Sequence, residues 1–414
     1  MRIAFYAPMK APDDPVPSGD RRMARLLMAA LGRGGAQVRL ASRFRSYDRG
    51  DPARQERLRS LGGRIARRLL RRFEALPAEL RPEIWFTYHL YHKAPDHLGP
   101  VIARALAIPY VVAEASFAPK QARGTFAIGH ASAGDAIAAA DRIYSLNPVD
   151  AVCLRPLVKD ERVLADLAPF IDTSAFAIDR ARRQEARARL ERRFAVPAGV
   201  PLILTVAMMR RDQKLASYAA LAQALGRLGD RPFAWLVAGT GSAEAEVRRL
   251  AAPLAGHVAF AGLAEGEDLR DLYAGSDLFA WPAVKEAFGM AFVEAASAGL
   301  AVVAGRSGGI DAIVEDGVTG RIVPAGDAAE MAEALGALLD DPARIARMGA
   351  AGAERTRRVN DIDAASRLLF ADLHRLVAER GSAGSESGRN PTAEHAKPER
   401  RSSLLPDAVR RDDP

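Results

Sequence analysis

The chain has 414 residues, 49% of them hydrophobic and 27% charged, with a net charge of +8 and one cysteine, Cys153. This length calls for two or three domains, and the composition is that of a globular protein with apolar material for more than one core. A lone cysteine excludes a disulfide framework and suits a reducing compartment, where a buried structural thiol is expected.

The N-terminal run RIAFYAP (2–8) is too short for a signal segment and reads as a buried first strand. A helix follows in RMARLLMAALGRGG (22–35), then a strand in QVRLAS (37–42). Residues 43–72 hold eleven arginines against Asp48, Asp51 and Glu56, which accounts for the entire charge excess. Within this segment Leu58, Leu61, Ile65, Leu69 and Phe73 recur at spacings of three and four. They predict an amphipathic helix with an arginine face, interrupted at Gly62-Gly63. Such a face over residues 54–76 suits either solvent or an anionic lipid surface. Nucleic acid is disfavoured as a partner, because no helix-turn-helix, zinc finger or aromatic platform accompanies the charge.

Strands and helices then alternate: IWFTYH (84–89), PVIARALA (100–107), PYVVAEA (109–115) and AIAAADRIYSL (136–146). After PFIDTS (169–174), read as the hinge, a charged helix leads to PLILTVAMM (201–209) and YAALAQALGRLG (218–229). FAWLVAG (233–239), AEAEVRRLAAPL (243–254), VAFAG (258–262), LRDLYAGS (269–276) and DLFAWPA (277–283) continue the pattern. LAVVAG (300–305), GRIVP (320–324) and AAEMAEALGALL (328–339) complete it. This rhythm predicts an α/β fold: two Rossmann-like, doubly wound parallel-sheet domains facing across a cleft. The first spans 1–170 and the second 171–360, with a helix at 361–380 crossing back to the first. The polar stretch 381–414 is read as a disordered tail. No segment offers about 18 consecutive apolar residues, so no membrane span and a cytoplasmic location are expected.

EAFGMAFVE (286–294) sets Glu286 ahead of Gly289 and a helix expected to start near Met290, with Glu294 in its first turns. The free N–H groups of a helix start stabilise an anion. A carboxylate on either side can accept hydrogen bonds from sugar or ribose hydroxyls. An isolated pair of glutamates at this spacing is more often a cap and a solvated side chain, and its surroundings decide between the two readings.

Those surroundings, WPAVKEAFGMAFVEAASAGLAVVAGRSGGIDAIVEDGVTGRIVPAGD (281–327), resemble the donor-site signature of family-4 glycosyltransferases. VAMMRRDQKLASY (206–218), WLVAGTG (235–241), VAFAGL (258–263) and LYAGSDLFAWP (272–282) precede it in the family's order. PSGDRRMARLLMAAL (17–31) and LAPFIDTSAF (167–176) match more loosely. The resemblance implies the GT-B architecture and transfer of a sugar from a UDP- or GDP-sugar to an acceptor, with retention of configuration and without a metal or other cofactor. Carbohydrate or lipid-linked acceptors, in glycan, exopolysaccharide or glycolipid synthesis, would be the partners. It implies that Glu286 binds donor-sugar hydroxyls, with the amides of Phe288, Gly289, Met290 and Ala291 beside it. Glu294 would bind the ribose, and Lys214 would face the diphosphate. Gly19, Gly239 and Gly241 would lie near the nucleotide, and Asp212 and Asp277 would stand outside any metal-binding cluster.

The sequence also departs from the family pattern. Met208 and Met209 stand where the family places an arginine, leaving Arg210 as the candidate substitute. The first-lobe histidine is missing after PYVVAEAS, where Glu114 and Ser116 stand; His130 is the next histidine along. His89 and His92 are equally open as acceptor contacts or surface groups. Pro169-Phe170 replaces the Asn-Gly of the interdomain turn. Two other readings remain: a degenerate sugar-nucleotide binder without turnover, or a same-fold nucleotide-sugar hydrolase or epimerase.

Overall fold

The computed structural model describes residues 1–16, 18–286 and 289–386. The first lobe runs β1 (Arg2–Tyr6), α1 (Gly19–Arg33), β2 (Gln37–Ser42), α2 (Pro52–Glu74), β3 (Ile84–Leu90), α3 (Gly99–Ala105) and β4 (Tyr110–Ala115). It continues through α4 (Ala127–Ala138), β5 (Arg142–Ser145), α5 (Pro148–Leu154) and β6 (Leu164–Asp166). The second lobe follows with α6 (Arg180–Phe194), β7 (Leu202–Val206), α7 (Gln213–Gly226), β8 (Ala234–Ala238), α8 (Glu244–Ala251), β9 (Val258–Gly262) and α9 (Gly266–Gly275). β10 (Leu278–Trp281), α10 (Met290–Ser297), β11 (Ala301–Arg306), β12 (Gly320–Pro324), α11 (Ala328–Leu339) and α12 (Pro342–Val359) complete it, and α13 (Ile362–Glu386) ends the described chain.

Each lobe holds one parallel six-stranded sheet, ordered β2-β1-β3-β4-β5-β6 and β12-β11-β10-β7-β8-β9. The fold is therefore the expected pair of doubly wound α/β lobes. The central strands are buried on both faces, as parallel strands covered by helices must be; β4 is buried at every position, Glu114 included. Capping side chains start the helices. Ser18 accepts from Arg21 N at α1, Asp51 stands before Pro52 at α2, and Asp212 accepts from Lys214 N at α7.

The strand orders fix where ligands can lie. In an open parallel sheet the crevice forms beyond the carboxyl ends of the strands between which the winding reverses. That point falls between β1 and β3 in the first lobe, and between β7 and β10 in the second.

The chain passes between the lobes twice, and the two crossings are bonded together. Ile171 N donates to Asn360 O and Ile362 N to Ile171 O, while Asn360 Nδ2 donates to Pro169 O at 2.7 Å. Thr173 Oγ1 donates to Asp361 Oδ2 at 2.6 Å. Beyond this point α13 packs Ile362, Leu369, Leu373 and Leu376 into the first-lobe core, and its Asp372 accepts from the Tyr144 hydroxyl at 2.7 Å. The replacement of Asn-Gly by Pro169-Phe170 leaves this junction intact, with Phe170 fully buried.

Three sequence expectations are corrected. Gly62-Gly63 does not interrupt α2: a Cβ at Gly62 would lie 2.5 Å from His97 Cβ, so the glycine admits close packing of the helix. Cys153 is exposed, on a short helix that also turns Val149 and Val152 to solvent. Residues 381–386, read as the start of a disordered tail, continue α13; the rest of that tail lies outside the described residues.

Candidate functional site

The loops after β7 and β10 meet at the second-lobe switch point. Lys214, in the first turn of α7, pairs through Nζ with Glu286 Oε2 from the loop after β10. Trp281 Nε1 donates to the same oxygen at 3.2 Å, and the lysine ammonium stands 5.4 Å from the Trp281 ring centre. Tyr218 fixes that ring edge-on at 4.9 Å and anchors itself by donating to Ala207 O at 2.7 Å.

The loop carrying Glu286 is held at both ends. Val284 N donates to Ser217 Oγ and Glu286 N to Ser307 Oγ, each at 3.0 Å. Ala283 and Lys285 take positive φ, of 51° and 53°, a conformation that costs non-glycine residues about 1–2 kcal/mol each. Strain of this kind persists where surrounding contacts impose it, commonly at a working site. Gly289, at φ 65°, opens α10 without any side-chain cap, so the amides at Met290 and Ala291 start the helix beside Glu286. Phe288 lies outside the described residues.

Glu294 is turned inward, only 2% exposed. Its Oε2 accepts from the Tyr273 hydroxyl at 2.7 Å, and its Oε1 pairs with the Arg22 guanidinium from α1 of the other lobe. Met290 likewise packs against the cores of both lobes. The two glutamates are therefore brought to the same interlobe crevice, and each is already paired with a cation.

The remaining candidates separate. Gly19 opens α1 next to the Ser18 cap, and a side chain there would meet nothing within 4 Å. Gly239 and Gly241 are required by packing: added Cβ atoms would lie 1.9 Å from Ala207 O and 2.2 Å from Met209 O. Both glycines thereby let the loops after β8 and β7 lie against each other beside the site. Arg210 is exposed and pairs with Asp212 at 3.1 Å. Asp277 is bound to Arg187 and Leu202 N, on the amino-terminal side of the sheet.

In the first lobe Glu114 is buried with φ 62°, and its Oε2 accepts from Leu146 N at 3.3 Å. Burial pushes its carboxyl up to about 7. His89, left open by the sequence, also has φ 62°, and its Nδ1 meets Asp20 Oδ1 at 2.7 Å. His130 does not join this group. It is buried on α4 with its ring 4.1 Å from Phe117, and burial lowers its pKa. His92 is partly buried and packed edge-on to Phe126 at 5.0 Å, and neither of its buried ring nitrogens has a hydrogen-bond partner among the described residues.

Sequence reading missed Arg22, Tyr273, Asp20, Trp281, Ser217 and Ser307 as partners. Trp281 sits inside the recognised signature and could have been found there. Arg22 and Tyr273 act over 272 and 21 residues from Glu294, distances at which no periodicity signals contact. A cavity of about 1010 Å³ lies elsewhere, between α6, α9 and α12. There Arg183 donates to the carbonyls of Ala274, Ser276 and Ala298, and Arg187 to Asp277 and Glu191.

Residues 200–341 match the family described as Glycosyl transferases group 1. A GDP-mannose-dependent alpha-(1-6)-phosphatidylinositol monomannoside mannosyltransferase of Mycolicibacterium smegmatis is 34% identical over 198 residues, 46% of this chain and 50% of that protein. A D-inositol 3-phosphate glycosyltransferase of Xylanimonas cellulosilytica is 32% identical over 217 residues, 51% of each. The chain thus spans about half the length of these curated relatives. Among solved structures, Anabaena Alr3699/HepE in complex with UDP superposes with a TM-score of 0.70 at 16% identity, covering 91% of this chain and all of that one. Sucrose-phosphate synthase from Thermosynechococcus elongatus gives 0.67 at 21% identity, covering 91% and 99%. At these identities the likeness concerns the fold.

Proposed function

We propose that this chain, whose residues 200–341 carry a glycosyl transferases group 1 domain, transfers a sugar from a UDP- or GDP-sugar to a carbohydrate or lipid-linked acceptor. The observation that carries the reading is the Lys214–Glu286 pair at the second-lobe switch point, beside the uncapped start of α10. Glu286 accepts hydrogen bonds from the donor sugar's hydroxyls. Lys214 and the amides of Gly289, Met290 and Ala291 face the diphosphate, and Glu294 takes the ribose diol once Arg22 gives way.

The bond that breaks joins the anomeric carbon to the diphosphate, which gains negative charge as it leaves. A lysine and preorganised amides at that position lower the barrier; losing one such donor typically slows a reaction about 10²–10³-fold. In this reading the acceptor oxygen enters from the side the diphosphate leaves, so configuration is retained, and its proton departs on the diphosphate oxygen. The charge is met by protein groups, without a metal. Named relatives that use GDP-mannose and a UDP-bound neighbour make these two nucleotides the first to try.

The test is nucleotide release from a panel of UDP-, GDP- and ADP-sugars by wild type and Glu286→Ala. Turnover with one donor, abolished in the variant while nucleotide still binds, is expected. Wild-type turnover in the variant would refute the assignment. A second reading, a sugar-nucleotide binder without turnover, draws on Glu114 standing where a first-lobe histidine was looked for; binding without release by the wild type would favour it.

No helix among the described residues is long and apolar enough to cross a membrane. The exposed arginine face of α2, including Arg57, Arg64, Arg68 and Arg71, is proposed to rest on anionic lipid during transfer to a lipid-linked acceptor.

A further inference from the structure

The first lobe also has a switch point, and it too is spanned by a hydrogen-bonded side-chain pair. Asp20, in the first turn of α1 after β1, meets His89, near the end of β3, across it. Glu114 lies on the neighbouring strand, between the register pairs Tyr88–Ala113 and Leu90–Ala115, so His89 and Glu114 stand side by side. Both hold φ of 62°, a conformation costly for residues with a Cβ. Two strained titratable side chains adjacent at the carboxyl edge of a sheet are what a built site requires.

An independent observation places unmet hydrogen-bonding capacity there. The Tyr88 hydroxyl is 1% exposed and has no partner among the described residues. Its ring lies 5.7 Å from that of His89, and the charges acting on it after burial itself are Asp20 and Glu114. Asp150, near the start of α5, adds a further carboxyl that interacts with Glu114 and with His89.

This group faces the donor crevice. Asp20 is two residues from Arg22, which reaches Glu294. Leu146, whose amide binds Glu114, sits so close to Gly309 that an added Cβ would lie 3.1 Å from its carbonyl oxygen; Gly309 is two residues beyond Ser307, the anchor of Glu286.

We propose that the crevice between Asp20, His89 and Glu114 binds the uncharged hydroxyl face of a sugar ring and rejects a phosphate ester. Asp20, hydrogen-bonded by His89 and held below the usual carboxylate range, accepts hydrogen bonds from hydroxyls and repels a phosphate, while the buried Glu114 carboxyl bonds hydroxyls with or without its proton. Among the described residues no arginine or lysine is paired with Asp20, Glu114 or Asp150: Lys10, whose charge acts on Asp20, is paired with Asp14, and Arg22 with Glu294. The inference rests on the transferase reading for what enters the site. The ring can belong to the donor or to the acceptor.

Calorimetry on the full chain distinguishes these sources. Wild type, Glu114→Gln and Asp20→Asn are titrated with GDP, UDP, GDP-mannose and UDP-glucose. They are then titrated with methyl α-mannoside, myo-inositol and myo-inositol 1-phosphate, each with and without nucleotide. If the ring is the donor's, the variants lose at least tenfold in affinity for a nucleotide sugar and keep that for its nucleotide. If it is the acceptor's, nucleotide-sugar binding is unchanged, binding of an uncharged ring falls at least tenfold, and the phosphate ester binds the wild type more weakly than myo-inositol. Sugar-dependent binding equal in wild type and both folded variants, including none at all, overturns the proposal, as does tighter binding of the phosphate ester. Failure of GDP and UDP to bind the wild type strikes the transferase reading instead, since the uncharged rings are also titrated alone.

Discussion

Replacing Glu294 by glutamine keeps the volume of a nearly inaccessible side chain but removes one acceptor oxygen and the charge. In the free chain the Tyr273 hydroxyl, fully buried, bonds one oxygen at 2.7 Å, and Arg22 pairs with the other. The arginine head is nearly half exposed, so its share of the pair is discounted to roughly 0–1 kcal/mol. The tyrosine bond to a charged acceptor is worth about 1.5–3 kcal/mol, part of which the amide oxygen restores. A net loss of about 1–2 kcal/mol follows, which lowers Tm by roughly 2–8 °C for lobes of this size. Nucleotide binding loses more selectively. A carboxylate gripping a ribose diol contributes about 1.5–3 kcal/mol, or roughly 10–150-fold in Kd. Calorimetry with GDP and 2′-deoxy-GDP, or the uridine pair, isolates that contribution. The wild type should prefer the ribose form at least tenfold, and Glu294→Gln should bind both forms nearly alike. A variant that keeps the full preference would refute the ribose role of Glu294, and so would a wild type that has none.

Lys214→Ala should slow transfer about 10²–10³-fold, while the wild-type rate survives EDTA; an EDTA-sensitive rate would show that a metal carries charge assigned here to the lysine. Glu114 supplies a pH signature. Its folded pKa, pushed up to about 7 by burial, lies above the unfolded value of 4.5, so the folded chain holds a proton that the unfolded chain releases. Its stabilising contribution is full below about pH 4.5 and is lost as pH rises through about 7, up to roughly 3 kcal/mol. Relative to Glu114→Gln, wild-type Tm should therefore fall by several degrees between pH 5 and 8; parallel curves would contradict the burial argument. Sedimentation with vesicles checks the arginine face of α2. The chain should pellet with anionic vesicles at low salt and stay in the supernatant at high salt, and equal recovery with neutral vesicles would exclude the lipid contact.

Much of the fold was legible because apolar runs such as LILTV and LFAW are short, β-rich and bounded by turn residues, while helices carry longer amphipathic stretches. The loop after β10 stood out for a different reason: Lys214, Glu286, Gly289 and Glu294 lie in segments whose order and spacing resemble a known pattern. What escaped the reading depends on contacts between distant segments. Nothing near Arg22 announces Glu294, and nothing near His89 announces Asp20, since the first pairing exists only once both lobes are in place and the second only once the first-lobe sheet has formed. Gly62-Gly63 shows the converse. Local propensity predicts a break, but the approach of His97 requires a residue without a side chain, and the helix continues.

The junction at Ile171 and Asp361 gives the molecule a single axle. Both connecting strands run through one spot and are stitched to each other, so the halves can swing but have little freedom to slide. In the proposed reading, a nucleotide enters by parting Arg22 from Glu294 at the mouth, while Asn360 keeps its grip on Pro169 at the pivot.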